Sequence, residues 1–181
     1  MKQLLLTLSD WRILLAFLLL SSSFSMYFFP HNLNKINEIA GKNLQILDTR
    51  GSYTLEEVQE LLTDMKAEGR ELYHHTTSVL DMIYPVVYTI FMLSLLVFLV
   101  RNIWSPDSNL VYVGLLPLGT MLFDYLENFN TLGLLAAYPE LSDSAVRYGS
   151  TMTGIKWGIA FVCLSMMLLG LIGWGVKKIR G

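Results

Sequence analysis

The sequence predicts an all-α membrane protein, an antiparallel four-transmembrane-helix bundle with a small helical extracytoplasmic cap. Three observations lead there. Of 181 residues, 53% are hydrophobic and only 15% charged, too little polar surface to cover a water-soluble domain of this length. The apolar residues also gather into four runs, 11–29, 80–100, 110–126 and 150–176. Each is near the ~20 residues a helix needs to cross a hydrocarbon core. Finally, the runs do not alternate apolar with polar positions as barrel strands do, and a helix satisfies its own backbone in lipid.

The first run, 11–29, follows Lys2 and ends in Ser21-Ser22-Ser23-Phe24-Ser25, a layout that a signal peptide shares. We read it as an anchor helix that Pro30 stops. Residues 31–79 then lie outside the membrane. Within them Thr54 and Glu57 are spaced as a capping box, and Leu55, Val58, Leu61, Leu62 and Met65 recur on one face of an amphipathic helix, 54–67. Its other face is acidic, whereas helices lying on membranes are usually basic, so it is expected to pack over the outer end of the bundle. Gly69 is expected to break it. From Arg70 a second helix runs into the span 80–100, where Pro85 should kink it. Ser105-Pro106-Asp107-Ser108-Asn109 reads as a tight turn into the span 110–126, and 128–147 as an outer, partly helical loop. Gly154 and Gly158, in the last span, are spaced to let that helix approach a neighbour closely.

Charge sets the orientation. Lys2, Arg12, Arg101, Lys177, Lys178 and Arg180 flank the spans on one side, with only Asp10 and Asp107 against them. That side is cytoplasmic by the positive-inside rule. The expectation is a multi-pass protein of the inner (cell) membrane with both termini in the cytoplasm. A net charge of −2 and the lack of a basic patch give no reason to expect nucleic acid as a partner. The single cysteine, Cys163, leaves no intrachain disulfide and no CxxC pair.

Ionisable groups inside spans are expensive and mark function by default. Four qualify: Asp81, Asp124, Glu127 and Lys156. Counting at 1.5 Å per residue puts Asp124 about 8 Å, Lys156 about 9 Å and Tyr88 about 10 Å below the outer edge. Asp81, Glu127 and Asn128 form the layer above. Asp124, Glu127 and Asn128 share a helix face with Thr120, as do His74, Ser78, Asp81, Tyr84 and Tyr88. Three readings compete: a buried ion pair that fixes helix register, a ligand-binding or catalytic pocket, and a cation pathway, for which the inner half offers almost no ionisable group. In the pocket reading a cavity opens between the second, third and fourth spans, touching Asp124 and Tyr84 or Tyr88. Phe24, Tyr27, Phe28, Tyr84, Tyr88 and Tyr125 supply its walls and the helix after Thr54 its lid. A mixed oxygen and nitrogen metal set from Asp81, Glu127 and His74 is the weaker alternative; no metal and no cofactor are expected.

Four strings carry a resemblance: Leu47-Asp48-Thr49-Arg50 with Tyr53-Thr54 and Glu57; Glu68-Gly69-Arg70 with Tyr73; Asp81 with Tyr84-Pro85 and Tyr88; and Asp124 with Glu127-Asn128. In these the chain resembles an uncharacterised group of small bacterial four-helix integral membrane proteins. The resemblance covers about residues 47–128. It implies architecture and a bacterial source, and adds Asp48, Arg50 and Arg70 to the residues of interest.

The function expected from all this is binding or modification of a lipid or other amphiphile. Asp124 and Glu127 are the candidate acid and base, and Lys156 holds negative charge on the ligand. Asp81, Tyr84, Tyr88, Asn128, Arg50 and Arg70 are the candidate ligand contacts. The alternative is an accessory or assembly subunit whose partners are other membrane subunits.

Overall fold

The structure is a computed structural model that describes residues 1–180; it is 86% helical, with no strand among the described residues, which rules out a barrel. Six helices follow in order: α1 (Lys2–Leu8), α2 (Trp11–Ala40), α3 (Leu55–Asp64), α4 (Lys66–Ile103), α5 (Asn109–Ala137) and α6 (Asp143–Arg180). α2, α4, α5 and α6 are long and apolar enough to cross a membrane. Their surfaces agree with that. Leu15 and Leu19 on α2, and Phe161, Leu168, Leu169 and Ile172 on α6, stand exposed, large apolar side chains of the kind that a membrane covers.

The helices outrun the apolar runs, and the two prolines do not end them. Before Pro30 the chain makes a wide π turn at Phe24–Phe28, where the Phe29 N–H reaches back to the Phe24 carbonyl. A second π turn, Thr76–Leu80, precedes Pro85. Such turns absorb the local mismatch a proline brings. α2 therefore continues to Ala40 and stops at Gly41, whose φ of 77° only glycine adopts without strain. The first long helix thus extends about three turns beyond the expected stop at Pro30.

α3 starts at the expected capping box, with Thr54 and Glu57 exchanging bonds in both directions. It ends at Asp64 and not at Gly69. The break falls at Met65 and Lys66, where Lys66 has a φ of 55°. Gly69 lies inside α4, where a notional Cβ would come 3.2 Å from Met65 Cβ and into ordinary contact with Ile36 and Ile39 of α2. Val58, Leu61, Leu62 and Met65 pack in one core with Ile36 of α2, Tyr73 of α4, Leu134 of α5 and Val146 of α6. The amphipathic helix therefore covers one end of all four long helices.

The opposite end is tied by basic side chains. Lys177 Nζ donates to the carbonyls of Asn102 (3.0 Å) and Ile103 (2.9 Å), closing the last turn of α4. Arg101 donates to Ser9 Oγ (2.8 Å) and Lys2 to the Asp107 carbonyl (2.5 Å). These hold α1, which the hydropathy runs did not separate, against Leu93, Val97, Val100 and Val111 through Leu5.

α5 and α6 pack along their length, and their buried residues explain how. On α6 these are Val146, Gly149, Thr153, Lys156, Ala160, Cys163 and Met167, and on α5 from Pro117 onward Pro117, Thr120, Asp124, Glu127, Asn128, Thr131 and Leu134. Asn128 apart, which turns to α4, both series alternate steps of three and four, the seam of a coiled coil. Gly154 and Gly158 lie off that seam on the exposed face, and nothing of this chain comes within 4 Å of a Cβ at Gly158. The close approach expected of them occurs instead at Gly149, Gly114 and Gly170.

Candidate functional site

The coiled-coil seam carries polar residues at the level where α4 crosses it, and this makes the site. Asp124 and Glu127 come from α5 and Lys156 from α6, all nearly fully buried (8%, 0% and 5% exposed). The Lys156 ammonium lies 2.5 Å from Glu127 Oε2 and 3.5 Å from Asp124 Oδ1, and it also pairs with Asp48. Asp48 sits in the short 3₁₀ turn Leu47–Thr49 between α2 and α3, which folds down onto α6. Trp157 Nε1 fixes that turn by donating to the Asp48 carbonyl (2.9 Å).

The carboxylates are held in turn. Tyr88 on α4 donates to Asp124 Oδ2 (2.9 Å). Thr153 Oγ1 donates to Glu127 Oε1 (2.7 Å), and the buried Tyr53 hydroxyl stands 3.5 Å from Thr153. Burial in this apolar neighbourhood pushes the Tyr53 phenol up to about 12, against the opposing pull of its bond with Thr153. Charge-assisted bonds of this kind are the strong ones, and every residue in the set is tied to at least one other.

Oxygens of Asp48, Asp124 and Glu127 lie within 4.8 Å of one another, close enough to ligate a metal ion. The chain supplies its own cation there, because the Lys156 ammonium pairs with all three. Among the described residues, Asp81, Glu127 and His74 do not come together as a ligand set.

Asn128 has a different task. Pro85 has no N–H to offer the Asp81 carbonyl, four residues back, so that carbonyl is freed inside the protein. Asn128 Nδ2 donates to it at 2.8 Å, and Tyr125 donates to the next carbonyl, that of Met82, at 2.9 Å. These bonds join α5 to α4. Arg50 and Arg70 also hold backbone. Arg50 Nε donates to the Gln45 carbonyl (2.9 Å). Arg70 donates to the Leu62 carbonyl (2.8 Å) and lies over the Tyr138 ring, 4.4 Å from its centroid. Neither arginine, nor Asn128, nor Glu127 lines the cavity described next.

That cavity has a volume of about 550 Å³. It reaches Asp124, Tyr84 and Tyr88, as the pocket reading requires, but α2 forms one of its walls through Ser21, Ser25 and Phe29. It lies between α2 and α6, both of which pack on α4. Exposed residues at its rim, Pro30, Trp157 and Leu164, put the opening on the side of the helices. Tyr27 and Phe28, expected as walls, face outward. Phe24 backs the wall by stacking on Tyr84, ring centroids 5.5 Å apart. The segment over the cavity is the turn around Asp48 and Thr49, not α3.

Lining chemistry changes along the cavity. On α4 it passes from Tyr73, Thr76 and Asp81 through Tyr84 and Tyr88 to Phe91 and Met92. On α6 it passes from Lys156 and Trp157 to Ala160 and Leu164, in the same direction. Two hydroxyls, Ser21 and Thr120, interrupt the apolar end. Compared with known proteins, the chain matches no family model, no curated protein and no solved structure.

Proposed function

We propose that this protein binds an amphiphile, a lipid or lipid-like molecule, that enters sideways from the bilayer into the cavity between α2 and α6. The observation that carries this reading is the gradient of the lining. A polar head fits beside Asp81, Tyr88, Asp124 and Lys156, and a chain fits along Phe91, Met92, Ala160 and Leu164. Mostly apolar walls with a few convergent polar groups are what small-molecule sites offer. A volume of about 550 Å³ suits a head group and part of a chain.

In the same proposal the four long helices form an antiparallel bundle in the inner membrane of a bacterium. Both termini lie in the cytoplasm, and the segment before α4 caps the outer end. The basic residues around Lys2, Arg101 and Lys177 support this orientation. The Asp48–Asp124–Glu127–Lys156 cluster then anchors the cap to the bundle at the mouth of the site.

The test is to extract the protein with its surrounding lipid in a polymer disc and count retained amphiphile by native mass spectrometry. Leu164→Trp, which obstructs the cavity from its exposed rim, should lose most of the retained molecule without lowering the thermal midpoint. Equal retention by both proteins would remove the proposal. A second reading, an accessory subunit, draws on the exposed face at Gly154 and Gly158. It expects larger subunits to copurify and Gly158→Leu to release them.

A further inference from the structure

The charge balance of the cavity narrows the chemistry of the head group. Lys156 is the one cationic side chain that lines it among the described residues. Its ammonium is already surrounded by Asp48, Asp124 and Glu127, so none of its charge is left over for a ligand. A fourth carboxyl group, on Asp81, faces the same space with no ion-pair partner among the described residues. Four carboxyl groups thus stand against one ammonium, and three of them must be neutral before the site stops being net negative.

We propose that the amphiphile is held by a protonated amine head, and that Asp81 is its principal partner. This rests on the binding reading above. An anionic head, such as a phosphate, would meet carboxyl groups and no unpaired cation there, a like-charge juxtaposition that disfavours binding. An ammonium brings three N–H donors and needs acceptors. The cavity supplies the Asp81 and Asp124 carboxyl groups at the level of the head, and the Thr120 hydroxyl, 3% exposed and without a hydrogen-bond partner, lies deeper, at the apolar end. The rings of Tyr84 and Tyr88, 5.1 Å apart and packed edge to face, line the cavity at this level, and aromatic rings attract cations. The carboxyl groups and the ring faces do nothing for a phosphate, whose charged oxygens only accept hydrogen bonds.

The test uses the full chain in nonionic micelles at neutral pH, mixed in turn with hexadecylamine, hexadecyl phosphate and hexadecanol, with bound molecules counted by native mass spectrometry. The amine should bind at least about tenfold more tightly than the phosphate. Asp81→Asn should lower the ratio of bound amine to bound alcohol by about tenfold. Binding of phosphate as tight as that of amine overturns the inference and leaves the amphiphile reading standing. So does an unchanged amine-to-alcohol ratio in Asp81→Asn. Failure of all three probes to bind overturns both. If Asp81→Asn does not fold, the amine-to-phosphate ratio of the unaltered chain still decides.

Discussion

Replacing Lys156 by methionine keeps the length and shape of the side chain and removes its charge, leaving Asp48, Asp124 and Glu127 facing one another. At an effective dielectric of about 20, a unit pair at the 3.5 Å between Lys156 and Asp124 attracts by about 5 kcal/mol. A pair at the 2.5 Å to Glu127 attracts by about 7 kcal/mol. Desolvation offsets most of this while the cluster is intact, which is why a complete buried cluster adds little net stability. Breaking it is different: removing one partner from a buried pair costs about 3–5 kcal/mol. At roughly 2–4 °C per kcal/mol for a chain of this size, the thermal midpoint should fall by about 6–20 °C. The assay is tryptophan fluorescence on heating in nonionic micelles at a fixed scan rate. Adding Asp124→Asn and Glu127→Gln to Lys156→Met should recover at least half of the loss, because the uncompensated charges go with the ammonium. A Lys156→Met midpoint within about 2 °C of the unaltered protein, or a combined variant that falls further than the single one, would refute the reasoning.

Three further outcomes follow from the packing, the pH behaviour and the charge pattern. Gly149→Ala should destabilise by about 1–3 kcal/mol through overpacking, because its Cβ would sit 2.2 Å from Asn130 Nδ2 and 2.6 Å from the Tyr53 hydroxyl. Gly158→Ala, with open space around it, should be neutral or stabilising by roughly 0.5–1 kcal/mol; parallel melts of the two variants check both. The buried Tyr53 phenol is raised to about 12, so its stabilising contribution is complete below its unfolded value near 10 and is lost as pH rises toward 12. Tyr53→Phe should therefore melt with a shallower alkaline decline between those limits, and an identical decline would count against burial of that hydroxyl. For orientation, cysteines at Ser52 and Ser142 in a Cys163→Ala chain should react with an impermeant thiol reagent outside intact cells, while one at Asp107 should not. Labelling of the Asp107 position from outside would reverse the orientation.

The spans were legible because lipid-facing surface must be apolar all along a helix, and no soluble packing imitates runs such as 80–100 or 150–176. Their ends were not. Hydropathy reports contact with lipid, whereas α2 and α4 continue as helix wherever side-chain packing continues, as Ile36 and Tyr73 do in the core under α3. Helix boundaries set by Pro30 and Gly69 failed for the same kind of reason. A π turn accommodates the first, and the second packs against Met65 inside α4. In the site, the intramembrane charges stood out by their cost in lipid, and the layer containing Tyr88, Asp124 and Lys156 followed from counting along helices. The heptad seam of α5 and α6 was hidden, because polar residues such as Thr120, Thr131 and Thr153 occupy positions that pattern reading expects to be apolar. Asp48 had no periodicity to reveal it: it lies in a loop 108 positions from Lys156, and only the resemblance pointed to it. Tyr53 stood only in the same string of the resemblance, unassigned to the site, and Thr153 carried no sequence signal at all. The use of Asn128 was readable in principle, since a proline in the middle of a span frees a carbonyl that some neighbour must satisfy.

The central claim is that the space between α2 and α6 is a binding site and not a packing defect. An experimental structure of the full chain in lipid discs, at a resolution that shows acyl chains, tests it most directly. The account predicts elongated density entering past Trp157 and Leu164, its head within hydrogen-bond distance of Asp81 or Asp124 and its chain along Phe91 and Met92. A cavity closed by its own side chains, with Tyr84 and Phe29 collapsed onto Ala160 and no density between α2 and α6, would contradict it.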